Sequence, residues 1–196
     1  AYMFSSGTEA TEAAWKIARM VTGKNGIVGM DHAFHGKTLG AQIAAGRGFK
    51  GIQQFGQWDP DKTGCLIFEP YVALTAKFHP QDQIEQIKHL VKENNLILIA
   101  DEIQAGFYRT GHLFGYQHYP DLHPDIVCIG KQMTNGFPAS AILGPAEWLE
   151  NDYYDLSSTN GGNPLACAAG LGVIEQMEAP GFLDHLRQLE NIFWSE

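Results

Sequence analysis

The ends of four apolar segments in this sequence carry side chains that could do chemistry together. The segment GIVGM (residues 26–30) runs into residues 31–36, which read DHAFHG. CLIF ends at Glu69, LILIA at Asp101 and DIVCIG at Lys131. If these segments are parallel strands, their carboxyl ends lie along one edge of a sheet, where open α/β sheets bind ligands. We therefore expect an aromatic ring, two carboxylates and a lysine amine to converge there.

The pair formed by Lys131 and Asp101 is the most informative part of this set. A lysine after a buried strand is commonly a solvated residue in a turn, but Gly130 and the loop at residues 134–136 let the backbone bend around a ligand. A lysine in a dry site loses its proton and attacks carbonyl carbons. An aspartate either caps the next turn or keeps a heterocyclic nitrogen protonated. Lysine and aspartate together are what pyridoxal phosphate requires.

A phosphate-bearing cofactor also needs a cradle, and residues 5–8 (SSGT) open the first predicted helix. The hydroxyl and backbone N–H groups of Ser6, Gly7 and Thr8 suit a phosphate at a helix N-terminus, although the same residues also suit an ordinary helix cap. Phe34 is the candidate for stacking on a planar ring, or else a core residue. We count the adjacent His35 among the cofactor-binding candidates.

Two other kinds of site deserve comparison with this one. Residues 36–38 (GKT) resemble the end of the nucleotide-binding loop GxxxxGK[ST], but Asp31 stands at the position of the first glycine. The nearest glycine, Gly29, leaves six intervening residues, so the loop has the wrong length. Asp31, His32 and His35 could ligate a metal, but no second cluster of suitable spacing accompanies them. We therefore predict no metal site.

The spacing of apolar residues predicts an α/β fold. Helical periodicity is present in residues 8–21, 80–94, 164–177 and 181–196, and strand-like apolar runs are present in residues 26–30, 65–68, 96–100, 125–129 and 140–143. Strands that are apolar throughout are typical of sheets covered on both faces. We predict a three-layer α/β/α fold with a mostly parallel sheet.

Composition and charge limit the class of protein. The chain has 13 Lys and Arg against 22 Asp and Glu, a net charge of −9 that argues against nucleic-acid or anionic-membrane partners. Its longest clear apolar run, residues 96–100, is far shorter than the roughly 20 residues of a membrane span. No signal peptide is visible. Three widely spaced cysteines without CxxC pairs argue against a disulfide framework, and we predict a cytoplasmic protein.

A series of motifs runs along the chain: SSGTEATEAAWKIAR, HAFHGKTLGA, FEP, IADEIQAGFYRTGHLFGYQHY, PDIVCIGKQMTNGFPASAILG and SSTNGGNPLACAA. Their order and spacing resemble those of the class III aminotransferases, which are pyridoxal phosphate enzymes of fold type I. The most specific element is DE-x-Q-x-GF-x-RTG, with GK thirty residues after its aspartate. The resemblance implies a fold type I large domain and an enzyme that transfers amino groups.

The resemblance also implies roles for individual residues. Lys131 resembles the lysine that forms the Schiff base, and Asp101 resembles the partner of the pyridine nitrogen. Gln104 resembles the residue that approaches the phenolic oxygen of the ring, and Glu69 the glutamate near the cofactor. Thr159 resembles the threonine that reaches the phosphate of the neighbouring subunit, which implies a homodimer with shared active sites. The family's phosphate cradle and stacking ring match Gly7, Thr8 and Phe34.

Some positions depart from the family pattern. Leu74 stands where many members carry the second glutamate of a QGEGG-like stretch, which helps to switch between amino donors. Tyr108 replaces a usual glycine, and Gln132 stands where a small residue often follows the lysine. Because members of the family are longer, we expect a fragment. Its residues 1–178 would form a large domain incomplete at the N-terminus, and residues 179–196 would start the connection to an absent C-terminal small domain.

The predicted activity is transfer of an amino group from an amine or amino acid to a keto acid or aldehyde, by a ping-pong mechanism through a Lys131 Schiff base. A pyridoxal phosphate-dependent aminomutase or amino-acid epimerase of the same family is the alternative, because these enzymes use an equivalent lysine. A non-catalytic or nucleotide-binding α/β module is the rival from another class. The pairing of Lys131 with Asp101 argues against that rival.

Overall fold

Apolar strands form the centre of the molecule. The computed structural model describes residues 1–46, 53–54, 59–150 and 156–195. The strands, in chain order, are β1 (Tyr2–Phe4), β2 (Gly26–Gly29), β3 (Gln53–Gln54), β4 (Thr63–Phe68), β5 (Tyr71–Val72), β6 (Lys77–Phe78), β7 (Ile97–Asp101), β8 (Ile126–Ile129) and β9 (Ser140–Leu143). The helices are α1 (Gly7–Thr22), α2 (Leu39–Ala44), α3 (Gln81–Asn94), α4 (Ala146–Leu149), α5 (Pro164–Glu178) and α6 (Phe182–Ser195).

Within these described ranges, seven strands form one sheet in the order β1-β9-β8-β7-β4-β2-β3. The neighbours β3, β2, β4, β7 and β8 pair in parallel, whereas β9 is antiparallel to both β8 and β1. The sheet is therefore mostly parallel, which confirms the sequence prediction. The strands β5 and β6 pair with each other as an antiparallel hairpin outside this sheet.

Helices cover the two faces of the sheet and make the predicted three layers. On one face α1 buries Ala10 and Ile17 in a cluster that includes Ile99 of β7. On the other face α3 buries Ile84 in a cluster that includes Leu66 of β4. All five side chains are fully buried, and burying a large aliphatic side chain stabilises a fold by roughly 1.5–3 kcal/mol.

The ends of the helices follow from residues at their boundaries. Helix α1 ends at Gly23, whose φ of 70° is left-handed and whose N–H donates to the Arg19 carbonyl oxygen at 2.9 Å. Helix α5 begins after Asn163, whose Oδ1 accepts the N–H of Ala166 at 3.0 Å, with Pro164 in the first turn. Both boundaries were predictable from these residue types.

Each predicted helix and strand is confirmed with bounds that agree within two residues. The sequence analysis missed β1, α2, β3, the β5–β6 hairpin and α4, because elements of a few residues leave no periodic pattern to read. In the part of the chain that the structure describes, none of the helices combines the length and the apolar character that crossing a bilayer requires.

Candidate active site

A cavity of about 190 Å³ lies beyond the carboxyl ends of β2, β4, β7 and β8. The residues predicted to bind a cofactor that line this cavity are Gly7, Thr8, Phe34, His35, Glu69, Asp101, Gln104 and Lys131. Parallel strands end at one sheet edge, so side chains far apart in the sequence meet there. Ser6 and Thr159 are not among the lining residues.

Lys131 follows Gly130, the first residue after β8, and begins a short 3₁₀ turn, Lys131–Thr134. Its Nζ donates a hydrogen bond to Oε1 of Gln104 at 2.8 Å, so the amine and the amide meet across the cavity. The φ of Lys131 is 43°, a left-handed conformation that costs a side-chain-bearing residue roughly 1–2 kcal/mol. Strained backbone of this kind concentrates at functional sites.

Asp101, the last residue of β7, is held by two neighbours. Its Oδ2 lies 2.7 Å from Nδ1 of His35, and its Oδ1 accepts the N–H of Ile103 at 3.1 Å. Because an ionised carboxylate can only accept, Nδ1 of His35 carries the proton and donates it. Nε2 of His35 is buried and has no hydrogen-bond partner among the described residues. The ring therefore has one polar atom left for a ligand.

Glu69, one residue beyond β4, provides the second carboxyl group of the cavity. Its Oε2 accepts the N–H of Phe34 at 2.9 Å, and its Oε1 accepts the N–H of Ala73 at 3.4 Å. Burial raises the pKa of Glu69, and the nearby charge of Asp101 raises it further. The carboxyl groups of Glu69 and Asp101 repel each other when both are ionised. This repulsion favours either a cationic ligand between them or a proton on Glu69.

Glycine at two positions allows neighbouring groups to lie close to the N-terminus of α1. Gly36 has a φ of 131°, and a Cβ there would overlap the hydroxyl of Thr8. That hydroxyl is 2.6 Å from the hydroxyl of Thr38. A Cβ on Gly7 would come within 2.8 Å of Ile103 Cδ1. Both glycines are therefore needed for the chain to pass this closely at the start of α1, where the N–H groups of a helix favour an anion.

Sequence reasoning missed Gly36, Ile103 and Thr38 as parts of this site. Gly36 and Thr38 carried a signal, since they belong to the GKT triplet that was compared with a nucleotide-binding loop. Ile103 carried none, because its position depends on the turn after β7 and not on a recognisable motif. In the structure the hydroxyl of Thr38, the last residue of this triplet, forms a hydrogen bond with the hydroxyl of Thr8.

Ser6 and Ser158, the residue before Thr159, both contact Glu9 outside the cavity. The Ser6 hydroxyl donates to Oε2 of Glu9 at 2.7 Å, and the Ser158 hydroxyl donates to Oε1 at 2.9 Å. Burial acts to raise the pKa of Glu9, but the hydrogen bonds from Ser6, Ser158 and the Ser5 N–H outweigh it and lower that pKa. Glu9 thereby ties the start of α1 to the loop that carries the exposed Thr159.

The three layers and the lysine at the sheet edge are those of the fold type I class. The family model described as aminotransferase class-III matches residues 41–196. The chain belongs to this family.

Named relatives and a solved structure agree with this assignment. The 4-aminobutyrate aminotransferase of Mycobacterium bovis is 32% identical, with 97% of this chain and 52% of the relative covered. The acetylornithine aminotransferase of Halalkalibacterium halodurans is 34% identical, with 95% and 53% covered. The structure of ornithine aminotransferase from Toxoplasma gondii superposes with a TM-score of 0.82 at 26% identity, with 98% of this chain and 52% of that chain covered. The chain spans about half the length of the curated relatives it matches.

Proposed function

We propose that this chain is the cofactor-binding part of a pyridoxal phosphate-dependent aminotransferase. The protein would move an amino group from an amine or amino acid to a keto acid or aldehyde. The observation that carries the proposal is the meeting of Lys131, Gln104, Asp101 and Thr8 in one cavity at the sheet edge. The relatives named above are aminotransferases, which favours transfer of an amino group over epimerisation or an aminomutase reaction.

The residues of the cavity fit this cofactor in their chemistry. An amine, a carboxylate partner for a ring nitrogen and a helix N-terminus for a phosphate are all present. The buried Nε2 of His35 has no hydrogen-bond partner among the described residues and could bond to a polar atom of the cofactor. The close approach of residue 36 to Thr8 requires glycine at position 36. The Toxoplasma gondii relative is described with pyridoxal phosphate at partial occupancy in its active site.

Each residue would have a distinct task. When bound, pyridoxal phosphate supplies an aldehyde that condenses with amines and a ring that withdraws electrons. Lys131 would hold the cofactor and, once released, its amine would act as the base that takes a proton from the substrate carbon onto Nζ. Asp101 would keep the ring nitrogen protonated, and the hydrogen bond from His35 orients that carboxylate. Thr8 and the N-terminus of α1 would hold the phosphate, and Phe34 would contact the ring.

The direct test is cofactor attachment. Purified protein incubated with pyridoxal phosphate should gain visible absorbance, and borohydride reduction followed by peptide mass spectrometry should find the cofactor on Lys131. Lys131→Ala should lose both signals. Lys92→Ala, a change at an exposed lysine of α3, should keep both. A wild-type protein that stays colourless and carries no cofactor by mass spectrometry would overturn the proposal.

The outcome of the reaction needs a separate measurement. An amino donor supplied with 2-oxoglutarate or pyruvate should yield the new amino acid over many turnovers. A single amino acid supplied without a keto acid should stop after one half-reaction. Continued turnover of that single amino acid would show an epimerase or mutase instead.

The assembly, domain limits and location of the protein are also proposals. We propose a homodimer in which Thr159 of one subunit reaches the cofactor phosphate of the other, and the exposure of Thr159 outside its own cavity supports this. We propose that residues 1–178 belong to the large domain and that residues 179–196 lead into a small domain. The cysteines Cys65, Cys128 and Cys167 are all free thiols, which suits a reducing cytoplasm.

A further inference from the structure

The loop after the catalytic aspartate contains an unusual turn. Phe107 and Tyr108 have φ values of 59° and 62°, and the N–H of Arg109 donates to the Gly106 carbonyl oxygen at 3.4 Å. A turn with positive φ at both central positions is normally built from glycine and asparagine. Two aromatic residues in that conformation are strained, and strain that persists points to a need for the side chains.

The Tyr108 side chain has a defined position. Its ring meets the ring of Phe182, the first residue of α6, edge to face with centroids 5.7 Å apart. This arrangement is one of the favourable geometries for aromatic pairs. Tyr108 thereby forms part of a groove of about 500 Å³ between the β5–β6 hairpin, its own loop and α6.

The groove adjoins the catalytic cavity through one shared residue. Gln104 lines both spaces, and its Oε1 accepts the hydrogen bond from Lys131 Nζ. Gln104 therefore lies between the two spaces, and a donor whose amino group reaches Lys131 would have to pass Gln104 to place its remaining atoms in the groove.

The groove has both apolar and polar walls. Tyr71 and Phe78 pack edge to face with centroids 5.2 Å apart on the hairpin side, and Leu183 and Leu186 line the α6 side. The polar residues that line the groove are Gln104, Arg109, Thr110, Arg187 and Glu190. Arg187 lies 3.3 Å from the carboxylate of Asp184, and the acidic Glu190 lines the same wall.

We propose that Tyr108 determines donor specificity in the proposed aminotransferase, as the wall of a groove that receives the apolar or aromatic body of an amine donor. The inference rests on the proposed function and deepens it. Phe182 holds the Tyr108 ring in place. A glycine at position 108 would relieve the backbone but would remove this wall.

The test compares matched amines that differ by a phenyl group. With the holoenzyme, half-reaction kinetics are followed by loss of cofactor absorbance for propylamine and 3-phenylpropylamine. Wild type should favour the phenyl amine, and Tyr108→Gly should reduce this preference by about 10-fold, mainly through KM. Tyr108→Phe, which keeps the ring, should restore most of the preference. Phe182→Ala should lose part of it.

A matched control and a binding measurement complete the design. Asp121 is exposed, has the same φ of 62°, and lies outside the groove, so Asp121→Gly relieves a similar turn and should leave the preference as in wild type. Calorimetry with the unreactive 3-phenylpropan-1-ol should show binding that Tyr108→Gly weakens. If Tyr108→Gly binds the cofactor as wild type does and keeps the preference for the phenyl amine, the inference about Tyr108 is wrong. The proposed function would not be affected by that result. If wild type binds no cofactor, the proposed function fails, and the calorimetry still decides whether Tyr108 forms a binding wall.

Discussion

Nδ1 of His35 lies 2.7 Å from Oδ2 of Asp101, and both side chains are buried. The two residues come from the loop after β2 and from the end of β7, strands separated in the sheet by β4. The hydrogen bond fixes the direction of a carboxylate that would otherwise rotate about its side-chain torsions. It also keeps one buried negative charge partnered by a donor.

Removal of this donor should destabilise the protein even without cofactor. His35→Ala leaves one oxygen of Asp101 buried and unpaired, so we expect the free energy of unfolding to fall by about 1–3 kcal/mol. Urea unfolding of the cofactor-free protein measures this change. His89→Ala serves as the control, because His89 is exposed on α3. Equal stability of His35→Ala and wild type would contradict the importance assigned to the pair.

Glu102 should make stability depend on pH. Its side chain is buried and accepts the N–H groups of Gly115 and Tyr116 at 2.7 and 2.8 Å. Burial nevertheless raises the pKa of Glu102 from 4.5 to about 7. A carboxyl whose pKa is higher in the folded state stabilises the fold when protonated, so its contribution is fully present below pH 4.5 and is lost as pH rises toward 7. The upper limit of this loss is about 3 kcal/mol.

The contribution of Glu102 is isolated by difference. Glu102→Gln stays neutral at every pH, so the free energy of unfolding of wild type minus that of the variant should decline between pH 4.5 and 7. Urea titrations at four pH values in that range suffice. Glu175→Gln, at an exposed position of α5, should give a flat difference. A flat difference for Glu102→Gln as well would show that its pKa is not raised.

Gly36→Ala should weaken cofactor binding. The new methyl group would overlap the Thr8 hydroxyl and strain the backbone at a φ of 131°, so we expect the dissociation constant for pyridoxal phosphate to rise at least about 10-fold, equivalent to about 1.4 kcal/mol. Absorbance titration measures it. Gly23→Ala also puts alanine at a positive φ, but its Cβ meets no described atom within 4 Å. That variant should lose stability and keep its cofactor affinity.

Shared active sites predict complementation between two inactive variants. Lys131→Ala and Thr159→Ala should each have low activity as homodimers. In a mixed dimer one site combines an intact Lys131 with an intact Thr159, so activity should return. Co-expression with two affinity tags isolates the mixed dimer, and light scattering gives its mass. A monomeric mass, or a mixed dimer no more active than its parents, would contradict the shared-site proposal.

Much of the fold could be predicted from the sequence because its longer elements have strong local signals. The alanine-rich face of α1, the left-handed Gly23 and the Asn163–Pro164 start of α5 each act within a few residues. The convergence of Glu69, Asp101 and Lys131 also followed from strand ends, given a parallel sheet. The antiparallel direction of β9 did not follow, because an apolar strand has the same pattern in either direction.

What the sequence by itself determined was the set of reactive residue types, their order and the strands that carry them. The tertiary structure decided which atoms meet. The Ser6 hydroxyl bonds to Glu9 instead of lining the cavity, His35 pairs with Asp101, and Tyr108 packs against Phe182. The last two contacts join residues from separate elements. Their geometry depends on packing between the elements, which no local pattern of residues specifies.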